Sequence, residues 1–331
     1  MARLISIYQI CQGRLGMPND RLRFGANLTL GIEETARQAR WMEDLGYEYF
    51  AAGEHFMRGD PPGPSHASLP VLAVAAGATT SIRLLSSIVL VPFYHPLMLA
   101  RTTATLDAAS GGRLTLGVGI GGEYPAEFEN SGLRVNQRGR RTDECLDVVR
   151  RLWKGEKVDF AGTHFKLKGA EINPLPVQQP HPPIWVSGRR DAAMQRAARL
   201  GEGWMPYFYD PPRYRDSVEK ISAFAHEHGK SLKGFQWGFF PYISIYETEQ
   251  VAAEVAARQL GGQYLYGGDF INIVRRYCLL GTPEQCAERL EEYIDAGARH
   301  IIFSITCRPE DRERHLEEIA AKLIPMFARK S

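Results

Sequence analysis

LDAASGGRLTLGVGIGGEYPAEF, residues 106–128, is the stretch on which the fold turns. Within it Gly117, Gly119 and Gly122 satisfy G-x-G-x-x-G, the spacing of a dinucleotide-binding turn, and RLTLGVG (113–119) reads as the buried strand that such a turn follows. A dinucleotide fold needs two more things. A helix must begin at the third glycine so that its N-terminus faces pyrophosphate, and an acidic residue must stand about 20 positions on, at the end of the next strand. Here Pro125 and an expected loop through Asn136 postpone the helix to about Arg138, and Asp143, at the right distance, falls inside that helix. The glycines therefore read as an open rim at a strand end, where a flat ring can lie against backbone.

Outward from that strand, short apolar runs alternate with longer amphipathic ones, the pattern of repeated βα units around a parallel sheet. The strand-like runs are LISIYQI (4–10), YEYFAAG (47–53), IRLLSSIVLV (82–91), RLTLGVG (113–119), PIWVSG (183–188), GWMPYF (203–208), FQWGFFPYISIY (235–246) and HIIFSIT (300–306). Helical periodicity fills most of the intervals between them, and Gly46, Gly77, Gly111, Gly201, Gly229 and Gly297 are expected helix stops. Eight strands with helical crossovers predict an α/β fold, a (β/α)8 TIM barrel, in one domain spanning 1–331. Two segments fall outside the repeat. Residues 155–182 read as a surface hairpin with a proline-rich return, and 260–281, with paired glycines flanking aromatics, as a cover over the barrel mouth, a packed helical excursion or a dimer arm.

The totals narrow the class. Hydrophobic residues make up 44% of the 331, charged residues 24%, and the formal net charge of +2 demands no polyanionic partner, so nucleic acid is not expected. No run approaches the roughly 20 apolar residues that cross a bilayer, and MARLISIYQICQGRLG lacks a signal-peptide core and cleavage site. Five cysteines (11, 145, 278, 286 and 307) form no C-x-x-C pair, which reads as reduced thiols in a cytoplasm.

The runs GEHF, SSIVLVPFYHPLMLARTTATLDAASGGRLTLGVGIGG, RGRRTDECLDVVRRLW and HPPIWVSGRRDAAMQRAARLGEGW, in this order over roughly residues 25 to 327, resemble the bacterial luciferase-like family of flavin and deazaflavin oxidoreductases. The resemblance implies a luciferase-like barrel, usually a homodimer, that binds reduced FMN or the deazaflavin coenzyme F420 at the carboxyl ends of its strands. It also implies a small organic substrate and a separate flavin reductase or F420-reducing enzyme.

The site residues follow from both sources. VSGRRDAAM places free backbone N–H groups at a helix start beside two arginines, an anion site; in the family this start holds the cofactor phosphate, which assigns Ser187, Gly188 and Arg189 or Arg190 to it, with Arg308 a further cation. GEHF sets Glu54 and His55 at the mouth end of the second strand, and an imidazole there serves as acid or base. The resemblance puts the His55 ring against the cofactor or substrate, and likens Glu123 to a proton-donating glutamate. It implies a non-proline cis peptide at Ser87 and Ile88 supporting the cofactor ring, beside Gly119 and Gly121. Glu54, Tyr94, His95, Trp204 and Tyr207 are candidate substrate contacts, and the aromatics among them imply a largely apolar substrate. A substitute role exists for several: His95 also stands where it caps a helix, and Phe93, Phe208 and Tyr209 also fit ordinary packing.

Rival functions find less support. A metal-dependent barrel hydrolase needs converging histidines and carboxylates; the run at 4–10 ends without either, and His226-Glu227-His228 lies on a helix where residues two apart face different ways, so no metal site is expected. No G-x-S-x-G occurs. Within the family, GEHF and FYHP resemble FMN monooxygenases, whereas Glu123 and RGRRTDE resemble deazaflavin members. The balance narrowly favours a monooxygenase using reduced FMN and dioxygen, with F420-dependent hydride transfer and a non-catalytic flavin-binding barrel as alternatives.

Overall fold

The computed structural model describes residues 21–59, 61–261 and 270–328. Thirteen strands are numbered along the chain: β1 (Arg23–Asn27), β2 (Tyr49–Ala52), β3 (Arg83–Ser86), β4 (Val89–Leu90), β5 (Leu114–Gly119), β6 (Val158–Ala161), β7 (Lys166–Ala170), β8 (Ile184–Val186), β9 (Gly203–Trp204), β10 (Gln236–Phe239), β11 (Tyr242–Ile245), β12 (Leu279–Gly281) and β13 (His300–Ile305). Parallel pairing runs β1-β2-β3-β5-β8-β9-β10-β13, and β13 returns to β1 through Phe24↔Ile301 and Gly25↔Ile302, closing an eight-stave barrel. Strand β4 continues the third stave against β5. Helices between the staves put their apolar faces on the barrel, as in Arg138–Trp153, where Cys145, Leu146, Val149 and Leu152 are fully buried.

The first stave differs from expectation. It is RFGAN, and the run at 4–10 lies outside the described residues. RFGAN has no β-branched residue, so its strand signal is weak. Its Gly25 is required by contact instead: a Cβ there would overlap the Cβ of Tyr49 on the neighbouring stave. The Tyr49 ring fills the lower barrel with Trp185 and His300, at centroid separations of 5.5 and 5.8 Å, and its hydroxyl pairs with His300 Nδ1 at 2.9 Å.

The seventh stave also departs from a single run. Pro241 has no N–H to give to a ladder, and the strand breaks there. β10 pairs with the lower half of β13, whereas β11 pairs with its upper end and takes on β12 as an outer neighbour. The helix Glu249–Gly261, unassigned from sequence, follows β11. Of the 260–281 segment, the helix Phe270–Tyr277 packs Phe270 and Val274 among Ala252, Ala256 and Leu260, and then enters β12; residues 262–269 lie outside the described residues.

In the other insertion, β6 and β7 form an antiparallel hairpin whose turn is held by Glu144, which accepts from the backbone N–H groups of Thr163, His164 and Phe165. Four of the expected glycine stops, Gly46, Gly111, Gly229 and Gly297, take positive φ; Gly77 stays within its helix and Gly201 is extended at φ −94°. Cys145, Cys278, Cys286 and Cys307 are unpaired and buried.

Candidate active site at the barrel mouth

At the carboxyl end of the barrel the third stave bulges, and three glycines make room for it. A Cβ on Gly53 would stand 2.8 Å from the carbonyl oxygen of Ser87, one on Gly117 would overlap the carbonyl oxygen of Ser86, and one on Gly119 would overlap the Ile88 side chain. The glycine run that opened the question of the fold therefore clears space for a neighbouring strand before it clears space for a ligand. Ser87 and Ile88 are joined by a cis peptide bond, as the resemblance implied, and Ser87 Oγ donates to Asn27 Oδ1 at 2.7 Å.

This bulge forms one wall of a cavity of about 640 Å³, within the size range of cofactor and ligand pockets. Gly119, Gly121, Ser187 and Gly188 line it beside the bulge. His55, Glu123, Tyr124 and Tyr207 line it too.

His55 leaves β2 through Gly53 and Glu54. Glu54 also touches the cavity, but its oxygens face the protein: they accept from the N–H groups of Ser68 and Leu90 and from the Tyr94 hydroxyl, at 3.1, 2.8 and 2.9 Å. Burial pushes this carboxyl up, against the pull of those donors. Glu54 and Tyr94 thus form a brace between staves; Tyr94 does not line the cavity, which corrects its assignment as a substrate contact, whereas Glu54 lines it with its oxygens already engaged. His95 is corrected too: it is exposed, lies outside the cavity wall, and its Nδ1 accepts from Leu97 N–H as the cap of the helix Pro96–Ala109. Trp204 is wholly buried with its indole N–H on the Gly188 carbonyl, so it shapes the turn after β8 from behind instead of lining the cavity. Phe93 packs between Phe56 and Phe128.

One residue missed from sequence is Glu127. Its segment was expected to be loop; instead Pro125–Asn130 is a short helix, which carries Glu127 inward under His55. Glu127 Oε1 lies 3.1 Å from His55 Nδ1 and accepts from the N–H groups of Phe56 and Met57 at 2.7 and 3.2 Å. Its side chain is fully buried, and Oε2 has no hydrogen-bond partner among the described residues. Burial works to raise this carboxyl, but the His55 hydrogen bond and charge and the two backbone donors outweigh it and hold Glu127 below the usual carboxylate range. Across the ring, His55 Nε2 faces Glu123 Oε2 at 3.7 Å, and the other Glu123 oxygen takes the Tyr207 hydroxyl. Tyr124 meets the imidazole edge-on at 4.9 Å. A proline at a helix start two residues after Glu123 was the sequence signal available for this arrangement.

After β8, the helix Asp191–Leu200 begins with no side-chain cap, just beyond Ser187 and Gly188. Arg189 lies over the Tyr207 ring at 4.8 Å. Arg190 is exposed, and neither arginine lines the cavity. Arg308 is also outside it, stacked on Tyr246; the cation that does line the wall beyond β13 is Arg312. Asn27–Ile32, Phe240 and Tyr242 line the cavity as well and were missed, the first group because the first stave was placed at 4–10. Among the described residues no group of three His, Cys, Asp or Glu side chains is placed to hold a metal, and no helix is long and apolar enough to cross a membrane.

Comparison with known proteins agrees with this fold. The model of a family described as luciferase-like monooxygenase matches residues 21–300. The 4-hydroxyprotoasukamycin monooxygenase of Streptomyces nodosus subsp. asukaensis is 30% identical over 305 residues, 83% of this chain and 77% of that protein. The crystal structure of monooxygenase RslO1 from Streptomyces bottropensis aligns with a TM-score of 0.79 and 28% identity over 92% of this chain and all of that one. An F420-dependent secondary alcohol dehydrogenase in complex with an F420–acetone adduct aligns with a TM-score of 0.81 over 92% of this chain and 98% of that one; at 20% identity it speaks to the fold alone.

Proposed function

Because the chain belongs to the luciferase-like monooxygenase family, we propose that it is a flavin-dependent monooxygenase that uses reduced FMN and dioxygen on a small organic substrate. One observation supports the reading: a single cavity is lined by Ser87 and Ile88 of the bulge, by His55, and by Ser187 and Gly188, which lie just ahead of the uncapped helix Asp191–Leu200. A flat ring, an acid–base group and a phosphate would each find a partner among them. The residues fit the group. The cavity has ligand size, Ile88, Leu90 and Met205 give apolar wall, and backbone N–H groups at the helix start suit an anion.

Bound reduced flavin would supply the two electrons that activate dioxygen. This chain's own residues do the rest. Ser187 and Gly188 hold the phosphate, the bulge supports the ring, Glu54 braces the loop that carries His55, and His55 takes or gives a proton at the cavity. Leu28, Leu30, Phe240 and Tyr242 favour a largely apolar substrate body. A second reading, F420-dependent hydride transfer without dioxygen, draws on Glu123, which sits at the cavity with Tyr207 on one oxygen and His55 near the other.

The working protein is proposed to be a cytoplasmic homodimer served by a separate flavin reductase. The helix Ser68–Ala78 leaves Pro70, Ala73, Val74 and Gly77 exposed along one face, near-continuous apolar surface for a second copy to cover. The test of the cofactor is titration of the purified protein with FMN and with F420. Micromolar FMN binding is expected; binding of F420 alone overturns the monooxygenase reading in favour of the second.

A further inference from the structure

We propose that Glu127 is the positioning residue of the site: it takes the Nδ1 proton of His55 and so leaves Nε2 as the nitrogen through which His55 exchanges protons with whatever occupies the cavity. The inference deepens the flavin-enzyme reading and rests on it for the identity of the occupant, but its geometry stands on the protein alone.

Two carboxylates flank one imidazole, and they arrive four residues apart on the same segment. Their relations to the ring are unlike. Glu127 is fully buried and within hydrogen-bond reach of Nδ1, whereas Glu123 is partly exposed and its nearest oxygen, 3.7 Å from Nε2, is beyond it. The same Glu127 oxygen also receives the N–H groups of Phe56 and Met57. Backbone N–H groups only donate, so Oε1 is an acceptor, and the ring nitrogen facing it must carry hydrogen. Neutral His55 is thereby set as the Nδ1–H tautomer, with the Nε2 lone pair turned to the cavity.

The other neighbours keep that choice. Tyr124 stands at 89° to the imidazole and limits its rotation, and the Glu54 carboxylate behind the loop is spent on Ser68, Leu90 and Tyr94. When a proton moves from the occupant to Nε2, the new N–H bond uses the imidazole lone pair and the donor keeps the electron pair of the bond that breaks. The cation so formed lies against the Glu127 carboxylate, which stays ionised; return of the proton restores the starting state. Glu127 never touches the occupant. It acts through His55.

The test reads the tautomer directly. Full-length protein labelled with 15N-histidine, with His55 assigned by its absence in His55→Gln, should show the Nδ1–H form of neutral His55 in excess by about tenfold or more, the bias expected from a hydrogen bond to a buried carboxylate. Glu127→Gln keeps a carbonyl oxygen for all three donors and should retain the excess; Glu127→Leu accepts nothing and should lose it. An Nε2–H form in the wild-type protein overturns the proposal whether or not either variant folds, and so does an unchanged ratio in folded Glu127→Leu. FMN titration of the same samples keeps the two readings apart. If neither FMN nor F420 binds the wild-type protein, the flavin reading falls while the tautomer result stands; if FMN binds and the tautomer is wrong, only the role of Glu127 falls.

Discussion

Gly119 shows how much a single missing methyl group can decide. Its Cα faces the Ile88 side chain so closely that any Cβ must displace the bulge that walls the cavity. Gly119→Ala is expected to cost about 2 kcal/mol or more through overpacking, and to weaken FMN binding at least tenfold. Urea unfolding and flavin titration check the two parts; a variant with wild-type stability and affinity would mean that the bulge shifts freely. The reason Gly119 matters was only half legible in the sequence. The G-x-G-x-x-G spacing marked a place where backbone is approached closely, but that the approaching group is a strand 31 residues earlier became visible only in the packing. Glu127 was less legible still, because a glutamate in an expected loop gives no sign that it will be folded under a histidine more than 70 positions away.

Elements rather than residues make the end of the cavity proposed for the phosphate. Ser187 and Gly188 close β8, and the helix that follows starts without a capping side chain, leaving N–H groups for an anion. Ser187→Ala is expected to weaken FMN by about threefold to thirtyfold while leaving riboflavin, which lacks the phosphate, unaffected. Equal losses for both ligands would place Ser187 at the ring instead. The strand, turn and helix start were legible in VSGRRDAAM because all three are local, but that Arg189 and Arg190 stand off the cavity wall was not. The first stave was not, because local signals misled there: LISIYQI carries the β-branched residues that RFGAN lacks, and RFGAN is a strand only through what its neighbours demand of Gly25.

At the scale of the whole molecule the count of eight staves was right although one member was wrong, since the repeat is a property of the entire chain. The barrel interior makes a testable demand on pH. His300 is buried beneath the cavity with Arg23 and Arg83 near, and burial, aided by those two charges, lowers it from 6.5 to about 3. His315 is lowered as well, chiefly by burial, and its Nε2 accepts from the Ile245 N–H, a bond that protonation would break. The unfolded chain therefore binds protons that the fold refuses. Stability from His300 is fully present above about pH 6.5 and is lost as pH falls toward 3, at about 1.4 kcal/mol per unit in that window. His300→Gln should flatten this part of the curve in urea melts at pH 7.5, 6 and 5; an unchanged slope would show that His300 is not the proton acceptor. The last stave has one more consequence. β13 pairs with β1 along one edge and with β10 and β11, the two halves of the seventh stave, along the other, so edges from the two ends of the barrel wait on residues 300–305. During synthesis on the ribosome the ring stays unsealed until residues 300–305 have emerged, and a product that stops short of them has sticky borders, fit for a chaperone or a protease rather than for chemistry.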